Sequence, residues 1–402
     1  MPHEKNITGT MLNLQKLLSV SDFERAAQRF LPHAIFSFVV GGTEDGVTCQ
    51  ANREVFNALS FRPRGLANVS ARNQGTHVMG QSYAMPVGIS PMGVTSITHR
   101  QCDLVLAKAA HANGSPYMLS GASNVPLETI QQAIDGKAWY QGYLPGDTDR
   151  LGKILQRLKS ADIPVLAVTS DTAVASNREN NQRNGFTIPF RPSMRLLWDG
   201  IKHPRWSFNV FLKTLIHDGV PRFCNLYEEI GPPITQEPAQ GFRGGRDRLD
   251  WDHMSWIRDR WPGKMVIKGI VHPADAEIAV QRGMDGVIVS NHGGRQLDSA
   301  MPALAALPGV KSVVPTDFPV MIDSGFRRGT DVLKAIALGA SMVFVGRPAL
   351  YGASIGGQAG VARVLEIFRT EIDRNLALLG CADIKALDRS YLDPVKLRAF
   401  CG

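Results

Sequence analysis

The sequence of 402 residues lacks several features that would by themselves define a class of protein. No apolar run approaches the roughly 18–20 residues that are needed to span a bilayer. The first 15 residues, MPHEKNITGTMLNLQ, contain no apolar core of a signal peptide. The five cysteines are odd in number and share no CxxC spacing, which argues against a disulfide framework or a zinc site. These absences predict an unsecreted protein of a reducing cytosol.

Positive charge is too scattered to predict a nucleic-acid partner. Lys and Arg number 44 against 36 Asp and Glu, but they accompany no RNP, zinc-finger or helix-turn-helix motif. The exception is residues 191–222, which hold six basic and two acidic residues together with Trp198, Trp206, Phe208 and Phe211. This composition suits an element at the surface of an anionic membrane. The alternative is a solvated loop whose aromatic rings pack on the protein or on a neighbouring subunit.

Eight short apolar runs alternate with amphipathic stretches along the chain. The starts of these runs usually lie about 20 to 33 residues apart, which predicts an α/β protein with a (β/α)₈ TIM barrel. A doubly wound open sheet is the alternative, but SPMGVT at 90–95 does not supply the GxGxxG turn that it would need. The predicted strands are 85–90, 116–121, 138–144, 164–171, 265–270, 286–291, 319–325 and 342–347.

The spacing of these runs also predicts how the chain is organised. Residues 1–80 are expected to form a helical extension packed on the barrel, residues 81–380 the barrel, and residues 381–402 a tail. The gap between the fourth and fifth strands is too long for a simple loop and predicts an insertion at about 180–250. The helices predicted between strands include 102–114, 148–162, 274–284, 329–340 and 357–380.

Polar side chains follow every predicted strand at its carboxyl end, where barrel enzymes place their sites. So dense a set predicts a catalytic rim. Its members are Ser90, Ser120, Gln141, Tyr143, Thr169, Asp171, Lys268, Asn291, His292, Asp323 and Arg347.

The motif SNHGGRQLD at 290–298 directly follows the sixth strand. The imidazole of His292 can act as a base near neutral pH, and Arg295 offers a planar fork for a carboxylate. The two intervening glycines allow backbone and substrate to approach closely. The alternative is a histidine that only caps the strand and bonds a backbone carbonyl.

Two glycine-rich turns end the seventh and eighth strands, at 323–329 and 346–348. Turns at these positions of a barrel often bind phosphate, and Arg327 and Arg347 add positive charge. They predict a phosphorylated cofactor or substrate, although each turn could instead serve only to start a helix. Lys268 ends the fifth strand, where its positive charge could stabilise negative charge on a bound ring. The alternative is a lysine whose amino group extends from the strand end into solvent.

Together these motifs resemble the FMN-dependent 2-hydroxy acid dehydrogenase/oxidase family. The resemblance covers roughly residues 20–390, and within the family it is closest to the branch that acts on mandelate. The motifs that carry it are SNHGGRQLD (290–298), VIKGI (266–270), DSGFRRGTDVLKAIALGA (323–340), VGRP (345–348), HPRWS (203–207) and EIDRNLALLGCADI (371–384).

The resemblance implies a role for each matching residue. His292 corresponds to the active-site base, and Asp171 to the carboxylate that orients it and stabilises its imidazolium form. Arg178 and Arg295 correspond to the arginines that bind the substrate carboxylate, and Tyr143 to a tyrosine that hydrogen-bonds the substrate. The implied cofactor is FMN. Its implied contacts are Ser120, Gln141, Thr169 and Lys268 on the flavin ring, Asp323 on the ribityl chain, Gly325, Arg327, Gly346 and Arg347 on the phosphate, and Ser90, Pro91, Met92, Gly93 and Ser290 elsewhere.

Three residues depart from the pattern of many family members. Phe38 replaces a tyrosine that touches the substrate carboxylate, so this substrate contact lacks a hydroxyl group. Gly142 replaces a larger apolar residue, which predicts a wider pocket. Gly93 replaces the alanine of many oxidases. Together these departures favour a large, aromatic substrate and an electron acceptor other than oxygen.

The function implied is the oxidation of an (S)-2-hydroxy acid, mandelate-like or lactate-like, to the 2-oxo acid, with electrons passing to a quinone or another acceptor. Removal of the substrate proton from carbon or from the hydroxyl group stays open. The alternatives are a soluble oxidase that releases hydrogen peroxide, a flavin-dependent isomerase or guanine-nucleotide-type dehydrogenase with similar phosphate turns, and a basic scaffold without catalytic activity.

The resemblance also implies partners for the insertion. Mandelate and lactate dehydrogenases of this family use the corresponding segment for peripheral membrane contact, which here falls at about 190–222. The expected location is the cytoplasmic side of the inner membrane, or otherwise the cytoplasm. The expected assembly is a homo-oligomer, a tetramer.

Overall fold

The computed structural model describes residues 13–237 and 245–401. The opening segment 1–12, part of the predicted insertion at 238–244 and the last residue of the predicted tail lie outside this range.

Eight parallel strands form one closed sheet in which neighbours along the chain are also neighbours in space. A parallel bridge between Ile89 and Tyr117 joins the first strand to the second and completes the ring. Each of the eight predicted strands overlaps one of those observed, and the predicted TIM barrel is confirmed. The strands are β3 (Val87–Ile89), β4 (Met118–Ser120), β5 (Trp139–Gly142), β6 (Val165–Thr169), β7 (Lys264–Ile270), β8 (Gly286–Val289), β9 (Val320–Ile322) and β10 (Met342–Val345).

The barrel strands are buried on both faces, as parallel strands usually are. In β6, for example, Val165 and Ala167 point into the barrel, whereas Leu166 and Val168 pack against the surrounding helices. The antiparallel hairpin of β1 (Thr76–Val78) and β2 (Gln81–Tyr83) contributes Met79 to the barrel interior. The hairpin closes the end of the barrel at which the strands begin. The end at which the strands finish is therefore left open for a site.

Amphipathic helices surround the sheet. The sequence explains their ends: Asp147 accepts a hydrogen bond from Arg150 N at 2.9 Å and caps one of them. The helices are α4 (Cys102–Ala112), α5 (Leu127–Ala133), α6 (Thr148–Ser160), α11 (Trp251–Arg260), α12 (Pro273–Gln281), α13 (Ala303–Ser312), α14 (Gly329–Ala337) and α15 (Arg347–Leu379). The last one is kinked at Gly356 and Gly357, so the helix predicted at 357–380 is its second half.

Three helices precede the barrel: α1 (Val20–Phe30), α2 (His33–Val40) and α3 (Val47–Glu54). Helix α1 begins with a capping box, in which Ser19 and Asp22 bond each other's backbone N–H groups, and it packs along α15. Helices α2 and α3 lie nearer the open end of the barrel, where they contact the loops that follow β8 and β9.

A long excursion separates β6 from α11. It contains α7 (Glu179–Arg183), α8 (Met194–Lys202), α9 (Pro204–Trp206), a π-helical turn (Ser207–Leu212) and α10 (Lys213–His217). None of the helices within the described ranges is both long and apolar enough to cross a membrane. The remaining elements are α16 (Pro394–Cys401) and short 3₁₀ turns at Leu14–Lys16, Val55–Ala58, Thr95–Ile97, Arg246–Arg248, Ile384–Ala386 and Arg389–Tyr391.

Candidate active site

A cavity of about 780 Å³ opens at the carboxyl ends of the barrel strands. Its walls include the ends of β3, β5, β6, β7, β9 and β10 and the loops after β4 and β8. Seventeen of the residues singled out in the sequence line it. They are Phe38, Ser90, Pro91, Met92, Gly93, Gln141, Tyr143, Thr169, Arg178, Lys268, His292, Arg295, Asp323, Gly325, Arg327, Gly346 and Arg347.

Three other residues from the sequence analysis lie behind the cavity wall. Ser120 donates to Gln141 Oε1 at 3.1 Å, and Ser290 accepts a hydrogen bond from Lys268 Nζ at 2.7 Å. Asp171 lies behind His292. Ser120 and Ser290 were expected to touch the cofactor, but their observed contacts are with residues that line the cavity.

His292 lies between the carboxylate of Asp171 and the phenol group of Tyr143. Its Nδ1 is 3.0 Å from Asp171 Oδ1, and its Nε2 is 3.4 Å from the hydroxyl oxygen of Tyr143. An ionised carboxylate can only accept hydrogen bonds, so Nδ1 carries the proton and Nε2 faces the cavity with a lone pair. This is the tautomer that a general base requires.

The surroundings of the pair set its protonation. Burial lowers the pKa of His292 below its usual value, and the charges of Lys268 and Arg178 act in the same direction against the opposing effect of Asp171. Burial alone would raise the pKa of Asp171, but the hydrogen bond from His292 and the positive charge of Lys268 lower it below its usual value. The imidazole is therefore neutral and the carboxylate ionised near neutral pH.

The backbone of the loop after β8 is left-handed at three consecutive residues: φ is +60° at His292, +66° at Gly293 and +74° at Gly294. A Cβ atom on Gly294 would lie 2.6 Å from Cys49 N, and one on Gly293 would lie 3.1 Å from the Arg347 guanidinium. From the sequence, these glycines are expected to let backbone and substrate approach closely. The structure shows that they accommodate α3 and Arg347.

Lys268 is placed by an irregularity in β7. The register of β7 against β8 shifts between Lys268 and Ile270, and Gly269 at this bulge has φ +109°. A Cβ atom there would lie 2.8 Å from Asp171 Cβ. The buried Lys268 forms an ion pair with Asp323 at 2.9 Å. Burial opposes the charged form, but Asp323 and Asp171 raise the pKa of Lys268, so the lysine stays cationic.

Arg295 and Arg347 both line the cavity, and within the described ranges no carboxylate forms an ion pair with either. Arg295 donates to the carbonyl of Gly41 at 2.8 Å, and Arg347 donates to the same carbonyl at 3.0 Å. Burial, together with the nearby charges of Arg178 and Arg347, lowers the pKa of Arg295 well below its usual value. Partly buried cations arranged in this way favour a bound anion.

Several buried polar atoms around the cavity have no hydrogen-bond partner among the described residues. They include Gln141 Nε2, Thr169 Oγ1 and Arg327 Nε. Buried polar atoms are normally satisfied, so a bound molecule is the simplest partner for them. The carbonyl and ring nitrogen atoms of a flavin suit Gln141 and Thr169, and a phosphate suits Arg327. These residues therefore fit FMN.

Gly142 has a different role from the one predicted from the sequence, and Arg246 is a cavity residue that the sequence did not predict. Gly142 does not line the cavity, and a Cβ atom there would lie 2.9 Å from Leu144 Cδ2. This glycine makes room for Leu144 rather than for substrate. Arg246 lines the cavity with its guanidinium 4.6 Å from the centre of the Tyr143 ring. Its position depends on how the insertion folds back, which no local motif predicts.

Comparisons with known proteins agree with this geometry. The sequence model of the family described as FMN-dependent dehydrogenase matches residues 27–394. The (S)-mandelate dehydrogenase of Pseudomonas putida is 38% identical over 378 residues, which are 94% of this chain and 94% of that protein. A crystal structure described as monotopic membrane protein (S)-mandelate dehydrogenase has a TM-score of 0.87 at 36% identity, covering 94% of this chain and 100% of that chain.

A solved mandelate oxidase with benzoyl-formic acid is also similar, with a TM-score of 0.77 at 30% identity, covering 94% of this chain and 98% of that chain. The family match spans nearly the whole barrel and all of the cavity residues described above. The chain therefore belongs to the FMN-dependent dehydrogenase family of 2-hydroxy acid dehydrogenases and oxidases, and it is an FMN-dependent oxidoreductase.

Proposed function

We propose that this protein oxidises an (S)-2-hydroxy acid with an aromatic side chain, such as mandelate, to the corresponding 2-oxo acid. The observation that carries the proposal is the contact of the His292 imidazole with Asp171, in the same cavity as Arg178 and Arg295. A base beside two guanidinium groups suits a substrate that carries both a hydroxyl group and a carboxylate.

Arg178 and Arg295 bind the substrate carboxylate in this proposal. The positive charge of each destabilises that of the other, as the effect of Arg178 on the pKa of Arg295 indicates. A carboxylate between them relieves this repulsion and fixes the substrate in one orientation. Tyr143 lies beside His292. In this proposal its hydroxyl group donates a hydrogen bond to the substrate.

Oxidation of the substrate removes two electrons and two protons from its CH–OH group. His292 Nε2 accepts one of these protons, and Asp171 stabilises the imidazolium ion that results. FMN, when bound, would supply the oxidising chemistry by taking up the two electrons and the second proton. Gln141, Thr169 and Lys268 would hold its ring, and Lys268 would stabilise the negative charge that the ring acquires.

The apolar part of the cavity supports an aromatic side chain on the substrate. Val174, Ile188, Phe223 and Leu226 line it, and all four come from the long segment between β6 and α11. Phe38, in place of a tyrosine, adds a further apolar surface. An aromatic ring would bury its area against these side chains.

Replacing His292 with Ala tests the proposed base. We expect a coloured flavoprotein that binds mandelate but is reduced about 10²- to 10⁴-fold more slowly than the unchanged enzyme. Flavin absorbance after rapid mixing measures the rate of reduction, and lactate and glycolate are the comparison substrates. Unchanged flavin reduction in the variant would refute the proposed base. Faster turnover of lactate than of mandelate would refute the aromatic substrate.

We further propose that the insertion binds the cytoplasmic side of the inner membrane, where a quinone accepts the electrons. Apolar side chains recur on α8 and on the π-helical turn and α10 at spacings of three and four residues. These stripes face outward: Trp198 is 59% exposed and Phe208 is 63% exposed. The exposed apolar residues are Met194, Leu197, Trp198, Ile201, Phe208, Phe211, Leu212, Leu215, Ile216 and Val220.

The inner side of the same segment is bound to the rest of the protein. Trp206 Nε1 donates to the carbonyl of Ile97 at 2.8 Å, and Asp199 accepts a hydrogen bond from Ala34 N at 2.9 Å. Asp218 pairs with Arg100. Both acidic residues of the segment are therefore engaged with other parts of the protein. A rigid apolar face flanked by exposed cations suits an anionic lipid surface.

The charge-introducing double variant Trp198→Glu/Phe208→Glu tests the membrane proposal. We expect the unchanged enzyme to sediment with vesicles that contain anionic lipid and the double variant to stay in the supernatant with its dye-linked activity intact. Leu378→Glu is the control, because Leu378 is an apolar side chain that is 74% exposed but lies on α15. If the unchanged enzyme stays in the supernatant at low salt, the membrane proposal is wrong.

The electron acceptor and the number of subunits are tested by separate measurements. A dehydrogenase that uses quinone should reduce a soluble quinone analogue rapidly and release little hydrogen peroxide in air. Stoichiometric peroxide would instead identify an oxidase. The homotetramer that we propose from the family resemblance should appear as a fourfold mass in detergent solution by light scattering.

A further inference from the structure

Helix α3 is held at its N-terminus by the loop that carries His292. The carboxylate of Asp298 accepts hydrogen bonds from Val47 N at 3.2 Å and from Thr48 N at 2.8 Å. A carboxylate at this end of a helix satisfies unpaired N–H groups and interacts favourably with the helix dipole. The end of the catalytic loop, residues 290–298, is therefore fastened to α3.

The middle of the helix is joined to the same loop by a pair of amides. Asn52 Nδ2 donates to Asn291 Oδ1 at 2.8 Å, and Asn291 Nδ2 donates to Asn52 Oδ1 at 2.9 Å. Asn52 is 2% exposed and Asn291 is 6% exposed, so water does not compete for these bonds. Asn52 Oδ1 also accepts from Ala303 N at 3.2 Å.

The other contacts of α3 reach the loop after β9. A Cβ atom on Gly325, whose φ is +91°, would lie 2.0 Å from the carbonyl oxygen of Asn52. The next residue of the helix, Arg53, donates to the carbonyl oxygen of Gly325. The helix thus packs directly on the backbone of one loop that carries the proposed base and one that carries the proposed phosphate contacts.

We propose that Asn52 is a positioning residue for His292, acting through Asn291. His292 follows Asn291 directly and has a φ of +60°, a conformation that surrounding structure must impose on a residue with a side chain. The reciprocal amide pair fixes the peptide that precedes His292 and so fixes the direction of its ring toward Asp171. This inference rests on the proposed function of His292 as the base.

The proposal separates catalysis from substrate binding. Neither Asn52 nor Asn291 lines the active-site cavity, so neither touches the substrate. In Asn52→Ala we expect the rate constant of flavin reduction at saturating substrate to fall by about 10- to 100-fold, because small displacements of a catalytic group have large effects. The substrate dissociation constant, obtained from the same rapid-mixing experiment, should change by less than about threefold.

Asn52→Asp provides a graded second variant, and it also serves if Asn52→Ala does not fold. Its carboxyl oxygen can still accept hydrogen bonds from Asn291 Nδ2 and Ala303 N, so we expect a rate between those of the unchanged enzyme and of Asn52→Ala. Gln131→Ala is the matched control. Gln131 is likewise a buried amide, with bonds to Ala138 N and to the carbonyls of Ala161 and Asp162, but it lies on α5.

The outcomes discriminate between positioning and general stability. A rate loss in Asn52→Ala that exceeds the loss in Gln131→Ala, at a similar decrease in melting temperature, supports the proposal. Equal losses in both variants, or a loss confined to substrate affinity, overturn it. His292→Ala is measured alongside: if it reduces flavin normally, the proposed base fails as well, whereas an inactive His292→Ala with an unaffected Asn52→Ala overturns only the present inference.

Discussion

The Nδ1 atom of His292 lies 3.0 Å from Oδ1 of Asp171, although 121 residues separate the two in the sequence. The bulge at Gly269 makes this approach feasible, because any side chain there would collide with Asp171. The pair joins the loop after β8 to the loop after β6, across the intervening strand. The following predictions concern this pair and the groups around it.

Asp171→Asn should change the pH dependence of the reaction as well as its rate. Burial lowers the pKa of His292, and Asp171 opposes that shift, so removing the carboxylate lowers the pKa further. Neutral imidazole is the active form, so activity is retained above this pKa and is lost as the pH falls through it. We expect the acid limb of kcat/KM to move to lower pH and the plateau to fall by about 10²-fold or more, because the imidazolium ion is no longer stabilised. An acid limb that moves to higher pH would contradict the electrostatic argument.

Lys268→Met should destabilise the protein more than removal of both members of the buried ion pair. The single change leaves Asp323 buried without the cation that now lies 2.9 Å away, which costs about 3–5 kcal/mol in comparable cases. The double variant Lys268→Met/Asp323→Asn leaves no uncompensated charge and should recover part of that loss. Urea unfolding at a fixed excess of FMN measures both. Equal free energies of unfolding would show that the pair is not coupled.

Gly325→Ala should be much more damaging than Gly46→Ala. Both glycines have left-handed backbones, with φ of +91° and +77°. A Cβ atom on Gly46 meets nothing within 4 Å, so its substitution costs only the backbone strain of about 1–2 kcal/mol. A Cβ atom on Gly325 would lie 2.0 Å from the carbonyl oxygen of Asn52 and must displace α3. Melting temperature and FMN release should therefore change far more in Gly325→Ala, and similar changes in both would show that α3 yields easily.

Arg246→Ala should weaken substrate binding more than it slows the chemical step. The guanidinium of Arg246 stacks on the ring of Tyr143. The neighbouring backbone is held in place by close packing, because a Cβ atom on Gly146 would collide with the carbonyl oxygen of Gly245. Loss of a partly buried cation–π contact and of positive charge should raise KM about 3- to 10-fold. Arg248→Ala, an exposed arginine of the same turn, is the control. A fall in kcat with unchanged KM would place Arg246 in the chemical step instead.

The sequence predicts the barrel well because each strand is a local pattern. A run such as 164–171 is apolar, β-branched and flanked by helical periodicity, and the end of the strand then locates Thr169 and Asp171 by a rule that holds for all barrels. The rim residues follow from the same rule. The match between predicted and observed strands therefore reflects information contained within about ten residues at a time.

Other parts of the site depend on contacts between distant segments, which local patterns do not encode. Ser120 and Ser290 occupy strand ends like their neighbours, yet they bond side chains of the cavity wall. Gly294 and Gly325 resemble glycines that admit a ligand, but their missing side chains make room for α3. The wider pocket expected at Gly142 was wrong for the same reason, because Leu144 occupies the space.

The contact between Asn52 and Asn291 spans 239 residues. During translation α3 leaves the ribosome before the strands that supply its partners are made. The side-chain amide of Asn52 therefore stays exposed to water until the barrel closes. Contacts of such long range form late in folding. Helix α3 is thus made before the strands that hold it, and it becomes fixed in place only after they have folded.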